Sequence, residues 1–356
     1  MNKYAIQLAF AYMGVIIGGG FASGQEILQF FTGYGWFSIA GTVVAGVLFA
    51  LLGRQIALLG TRLQAESHKD VLYALFGRRI GAVMDLMLTF FLYGVGVAML
   101  AGTGALFSQQ FGWPMIAGGL LMTTLVVITL CLNVKRIIDL VSAATPILTV
   151  MVLLVTGYSL LTADSDIEQL LALSRHQETV APHWALGALL YTSFNIAVGF
   201  PMLAVIAGRN ANARSTSLGG TLGGIGLGVL ILLINIALFV NLNNLQGVEL
   251  PTQRLAANLS PAVGVLMTIS ISCMIYSTAV GMFFAFSSRF GRPETGRFRI
   301  ISVVSCGVGL ALSLVGFTEL IGTVYPLLGY LGLLLIAAVA VYSYRTSRRK
   351  ALAPQG

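Results

Sequence analysis

YMGVIIGGGF spans Tyr12 to Phe21, and YTSFNIAVGF spans Tyr191 to Phe200. At one constant offset Tyr12 falls on Tyr191, Ile17 on Ile196, Gly20 on Gly199 and Phe21 on Phe200. Each glycine in a helix interior costs about 1 kcal/mol relative to alanine, so the run Gly18, Gly19, Gly20 predicts a break in an otherwise apolar segment. The second copy carries Gly199 with Pro201 two residues on, which predicts a second break. Interrupted helices leave backbone groups open at membrane depth only where a ligand or an ion satisfies them, and a pair in corresponding halves points to a substrate site.

The rest of the chain fits that setting. Of its 356 residues 57% are hydrophobic and 9% charged, and the mean hydropathy is +0.90. This is the composition of an all-α polytopic membrane protein. About ten stretches can each cross a hydrocarbon core of roughly 30 Å. They run from Tyr4 to Phe31, Phe37 to Leu59, Ile80 to Phe107, Pro114 to Leu132, Ile137 to Leu161, Ala185 to Ile206, Ser217 to Val240, Pro261 to Phe286, Ile300 to Val315 and Leu320 to Tyr342. Nearly all Lys and Arg residues fall in alternate loops, which places both termini on the cytoplasmic side and requires an even number of spans. Arg175 and Arg254 are the exceptions. The net charge of +8 is thus a topology signal and contact with anionic lipid, with no nucleic-acid partner implied. The oligomeric state is open.

Residues 1–163 form a first five-helix repeat, 164–183 an extracellular connecting loop, 184–344 a second repeat of opposite topology, and 345–356 a basic cytoplasmic tail. Tyr93, Val97 and Met99 match Tyr276, Val280 and Met282 at nearly the same offset, a second trace of the repeat. Short helices are expected over 66–77, over 166–172 and, with Pro251 opening it, over 251–259. Cys131, Cys273 and Cys306 have no metal or redox spacing and read as packed thiols.

At the first break, Gly18, Gly19, Gly20 and Phe21 are the candidate substrate contacts. Half-helix amides there would suit a carboxylate and free carbonyls a cation. Glycines at these positions also serve close helix packing. Ser193 and Asn195, with Gly199, are the candidates in span six, and the alternative for the polar residues Thr192, Ser193 and Asn195 is hydrogen bonding between helices. Glu26 has two readings: a proton carrier or cation partner within a span, or the acidic end of a Ser23-x-x-Glu26 capping box. Ser277 and Thr278 offer paired hydroxyls for a monovalent cation. Asp85 and Asp139 read as structural partners of Arg78, Arg79, Lys135 and Arg136, and Glu319 as an N-terminal helix charge.

GGGFASGQEILQFF, SFNIAVGFP and TVYPLLGYLG resemble the YkvI-type bacterial membrane proteins of the amino-acid/polyamine/organocation superfamily. The resemblance implies the LeuT-like fold, a 5+5 inverted repeat with helices 1 and 6 unwound around substrate. It further implies backbone oxygens from Gly14 and Ile17 and side-chain oxygens from Ser277 and Thr278 around sodium. Tyr93 would take the place of the span-three tyrosine that closes over substrate. Val15 replaces the asparagine that serves a second sodium in neurotransmitter-type symporters.

The expected function is cation-coupled uptake, with sodium preferred over the proton, of a small polar solute such as an amino acid or related carboxylate. Proton coupling through Glu26 and a non-transporting ligand sensor on the same fold are the alternatives. No enzyme is expected, since His68, His176 and His183 lie in loops, and no cofactor beyond a possible Na+.

Overall fold

The computed structural model describes residues 3–66, 68–131, 144–162, 166–210, 212–292 and 295–352. The predicted Lys135, Arg136 and Asp139, the opening of span five and residue 164 lie outside them, as do the last residues of the tail. The first span is split as its glycines require: α1 (Lys3–Ile16), α2 (Gly19–Ser23) and α3 (Gln25–Phe30). There follow α4 (Phe37–Leu63), α5 (His68–Phe111), α6 (Met115–Cys131), α7 (Ala144–Leu161), α8 (Ile167–Ser174), α9 (Trp184–Gly208), α10 (Ala213–Val240), α11 (Pro251–Leu259), α12 (Pro261–Phe290), α13 (Gly296–Ser313) and α14 (Phe317–Leu352). Seven of these, α4, α5, α9, α10, α12, α13 and α14, contain a segment long and apolar enough to cross a membrane. Two shorter apolar helices and the split first span fall at the remaining predicted positions.

The three expected short helices are present. α8 and α11 are two of them, and Gly77 separates the third from the body of α5 with φ 74° and ψ 168°, a conformation open to glycine and strained for any other residue. Side chains such as Phe10, Val47, Ile80, Phe90, Leu154, Val304 and Leu334 stand exposed along the helices. An apolar surface of that extent belongs in lipid, and the chain is a multi-pass membrane protein.

The packing is reciprocal between the halves. α1 lies against α10 and α9 against α4, while α4 and α10 form the most intimate pair. Glycines make that closeness possible: Gly46 faces Gly228, Gly53 faces Gly220, and Gly224 sits on the backbone of Phe49 and Ala50. α14 closes on α9, and α12 on α5.

Polar contacts seal both ends of the bundle. At the basic end the Tyr4 hydroxyl donates to the Ile206 carbonyl at 2.8 Å, and Thr61 bonds both Ala207 and Thr216. Asp85 is buried there as an ion-paired carboxylate, as expected, but with other partners. It meets Arg289, His68 at 2.9 Å and Lys69 at 3.8 Å, because the turn at Gly77 folds the short helix back beside it. At the opposite end Tyr34 donates to the Ala181 carbonyl at 2.6 Å, and Gln253 bonds Gln109 and Gln110.

Glu249 leads into α11 and carries a buried carboxylate oxygen without a partner. Burial pushes its carboxyl above the ordinary value of 4.5. A group whose folded-state pKa is raised adds stability below its unfolded value that is lost as pH rises through the folded one. Glu249→Gln is therefore expected to raise the melting temperature near neutral pH. It should also flatten the loss of stability seen as pH climbs from about 4.5 toward neutrality, which thermal unfolding across that interval would read.

Candidate functional site at the broken first span

α1 ends at Ile16, and Gly18 stands extended at φ −99° and ψ −173° before α2 begins. α12 fills the gap. The Thr278 hydroxyl accepts from the Gly19 amide at 3.3 Å while donating to the Met274 carbonyl at 2.9 Å. A Cβ on Gly19 would lie 2.6 Å from Ile275 Cγ1 and 2.7 Å from Met99 Sδ. The break is thus held shut by Thr278, Ile275 and Met99. Of the predicted cation residues, Thr278 is brought to the break itself, Ile17 is buried beside it, and Gly14 lies one turn back in α1 where a Cβ would have open space. Ser277 is half-buried next to Thr278.

The second matched segment does meet the first. A Cβ on Gly199 would lie 3.1 Å from Ile16 Cγ1, and Phe21 is buried in the same core. The expected break there is overturned, however, since α9 winds without interruption from Trp184 to Gly208 through Gly199 and Pro201. One glycine carries about a third of the penalty of three. The polar residues before it return to their own helix: Thr192 donates to the Ala188 carbonyl at 2.9 Å and the Asn195 amide to that of Tyr191 at 3.0 Å. Ser193 lies 3.0 Å from the Leu190 carbonyl and 2.7 Å from that of Gly329 in α14. Helix packing, the alternative reading of Ser193 and Gly199, is what this structure displays.

Tyr93 is also turned elsewhere. Its hydroxyl donates to the Ser305 carbonyl at 2.8 Å and its ring packs on Phe283 and Phe286, so Met99 is the α5 residue at the break. The capping box does not form either. Ser23 donates to the Gly20 carbonyl at 2.7 Å and accepts from the Gln25 amide at 3.2 Å. The residue capping α3 is Gly24, at φ 80°. α11 sits on this joint, where the Thr252 hydroxyl donates to the Ala22 carbonyl at 2.5 Å.

Glu26, released from capping, is 4% exposed. Its carboxyl occupies the place a Gly20 side chain would need, and Tyr325 of α14 lies within electrostatic reach of it. Beside it Gln25 donates to Thr318 Oγ1 at 3.2 Å and Gln29 to the Thr318 carbonyl at 3.3 Å. Gln29 and Thr318 were missed in the sequence. The signal was there: three polar residues at 25, 26 and 29 on one face of an apolar span. Glu319 stands in the first turn of α14, as expected. A cavity of about 190 Å³ lies away from the break, with Trp36, Ile39, Leu170 and Phe239 among its walls.

A bundle of this architecture with its first membrane span interrupted defines the class: the chain has the LeuT fold. Solved structures that share it include MhsT in complex with L-phenylalanine, with a TM-score of 0.63, 16% identity and 94% of this chain and 89% of that one covered. A Na+-coupled sialic acid symporter superposes with a TM-score of 0.63 at 14% identity, over 95% of this chain and 79% of that one. Mhp1 in its inward-facing conformation gives 0.59 at 14% identity, over 92% and 73%. By sequence the chain is similar to the uncharacterised membrane protein YkvI of Bacillus subtilis strain 168, 28% identical over 341 residues that cover 94% of this chain and 95% of that protein. It is also similar to YyaD of the same organism, 25% identical over 93% of this chain and 94% of that protein. No family model matches the chain.

Proposed function

We propose that the protein is a secondary active transporter of the cytoplasmic membrane that takes up a small polar solute, an amino acid or related carboxylate, by alternating access. The basic end of the bundle faces the cytoplasm in this reading, following the distribution of Lys and Arg. One observation carries it: at Gly18 and Gly19 the backbone leaves its helix beside a hydroxyl of α12, in a fold whose solved neighbours include a Na+-coupled symporter. Solute would enter where Ile275 and Met99 now close on Gly19, its carboxylate toward the amides of α2. Sodium would sit between α1 and α12, with Thr278 and Ser277 as side-chain ligands and Gly14 and Ile17 as carbonyl ligands.

Proteoliposomes holding the purified chain are expected to accumulate at least one radiolabelled amino acid under an inward sodium gradient. Thr278→Val should lower that uptake about tenfold or more, the equivalent of roughly 1.4 kcal/mol. Uptake driven by a proton gradient and indifferent to sodium would favour the second reading, coupling through the buried Glu26. Saturable binding with no flux under either gradient would favour a sensor.

A further inference from the structure

Buried polar atoms normally find partners, and each exception asks for an explanation. Among the described residues three such exceptions lie on α3, namely Gln25 Oε1, Glu26 Oε2 and Gln29 Oε1, and a fourth is the hydroxyl of Tyr191, whose ring packs on Phe30 and Phe31 at the end of that helix. All four side chains are at least 96% buried. Gln25, Glu26 and Gln29 share one face of α3, and across from them α14 presents Thr318, Gly322 and Tyr325 on one face of its own. Tyr191 and Tyr325 both lie within electrostatic reach of Glu26. Gly322 faces Gln29 across the seam, where a Cβ would make ordinary contact with its amide at 3.8 Å.

Three of the four orphans are acceptor oxygens, and the orientation of Gln29 is fixed because its amide nitrogen donates to a carbonyl. Arg289, His68 and Lys69 gather at Asp85 instead. A proton on Glu26 would satisfy one amide oxygen and leave the other open. A monovalent cation would serve all three oxygens and neutralise the single carboxylate, whereas a divalent ion would leave a net charge at membrane depth.

We propose that Glu26, Gln25 and Gln29, with the Tyr191 hydroxyl, form a sodium-sized cation site between α3, α9 and α14, separate from the α1–α12 position. The site binds whether or not the protein transports, so its test reads binding rather than flux.

Equilibrium binding of radioactive sodium to the purified full-length chain, by scintillation proximity, is the direct experiment. Glu26→Gln is expected to weaken sodium binding at one site at least tenfold, and Gln29→Leu several-fold, while Thr278→Val leaves this site intact. An isotherm for Glu26→Gln that superimposes on wild type overturns the site, as does a variant that alters only pH dependence. Should these variants not fold, wild type still decides. Sodium is expected to protect Glu26 from modification by a hydrophobic carbodiimide, read by mass spectrometry, and potassium or choline to protect it far less. Equal labelling with and without sodium refutes the proposal.

Discussion

Alanine at Gly19 is expected to eliminate solute uptake in a protein that still folds. The added methyl would fall 2.6 Å from Ile275 Cγ1, 2.7 Å from Met99 Sδ and 2.9 Å from Ile275 Cα. Side-chain ends can turn aside, but the α12 backbone cannot, so α2 must move away from it. The Gly19 amide, already 3.3 Å from the Thr278 hydroxyl, would lose that acceptor, and the position assigned to the cation would open. Overpacking of this kind costs about 1–3 kcal/mol, enough to shift the melting temperature without abolishing the fold. Gly14→Ala is the matched control, because a Cβ there meets nothing within 4 Å and alanine favours the helix. Uptake assays on both variants decide the matter, and wild-type transport by Gly19→Ala would remove the break from the mechanism.

The largest expected effect on stability belongs to Gly224→Val. A Cβ on Gly224 meets the Ala50 nitrogen and Cα and the Phe49 carbonyl carbon, all backbone. No rotamer relieves such a contact, so α4 and α10 must separate along a seam where even a Cβ on Gly228 would lie 2.6 Å from Gly46 Cα. Membrane helices gain their association from packing at this range rather than from hydrophobic transfer. The penalty should lie at or beyond the upper end of the roughly 1–3 kcal/mol range for overpacking. Thermal unfolding in detergent should show a large fall in melting temperature, with little change for Gly307→Ala, whose surroundings are open.

Much of the architecture was legible because membrane spans declare themselves by length and composition, and three consecutive glycines announce a break on local energetics alone. The short helices were legible from Pro251 and from the polar stretches they occupy. What failed depends on neighbours. Gly199 looked like a hinge beside Pro201, yet whether one glycine breaks a helix depends on what packs on it, and here Ile16 takes the space. Tyr93 was assigned by position in a related fold, and its hydroxyl found the Ser305 carbonyl instead. Met99 and Ile275 carry no chemical signature, so only packing reveals them at the break. Glu26 was legible as an ionisable residue in a span, but its company on α14 is a product of tertiary structure.

α9 is wound throughout, whereas the first span is interrupted twice, at Gly18 and at Gly24. The backbone can rotate at Gly18 and again at Gly24, with the five residues Gly19–Ser23 as a rigid link between two pivots. Opposed rotations at the two ends would swing that link sideways, as in a crank, while α1 and α3 keep their tilt. If the protein transports as proposed, access to the two sides would be exchanged by the throw of one short segment, with the sixth span as the post against which it turns.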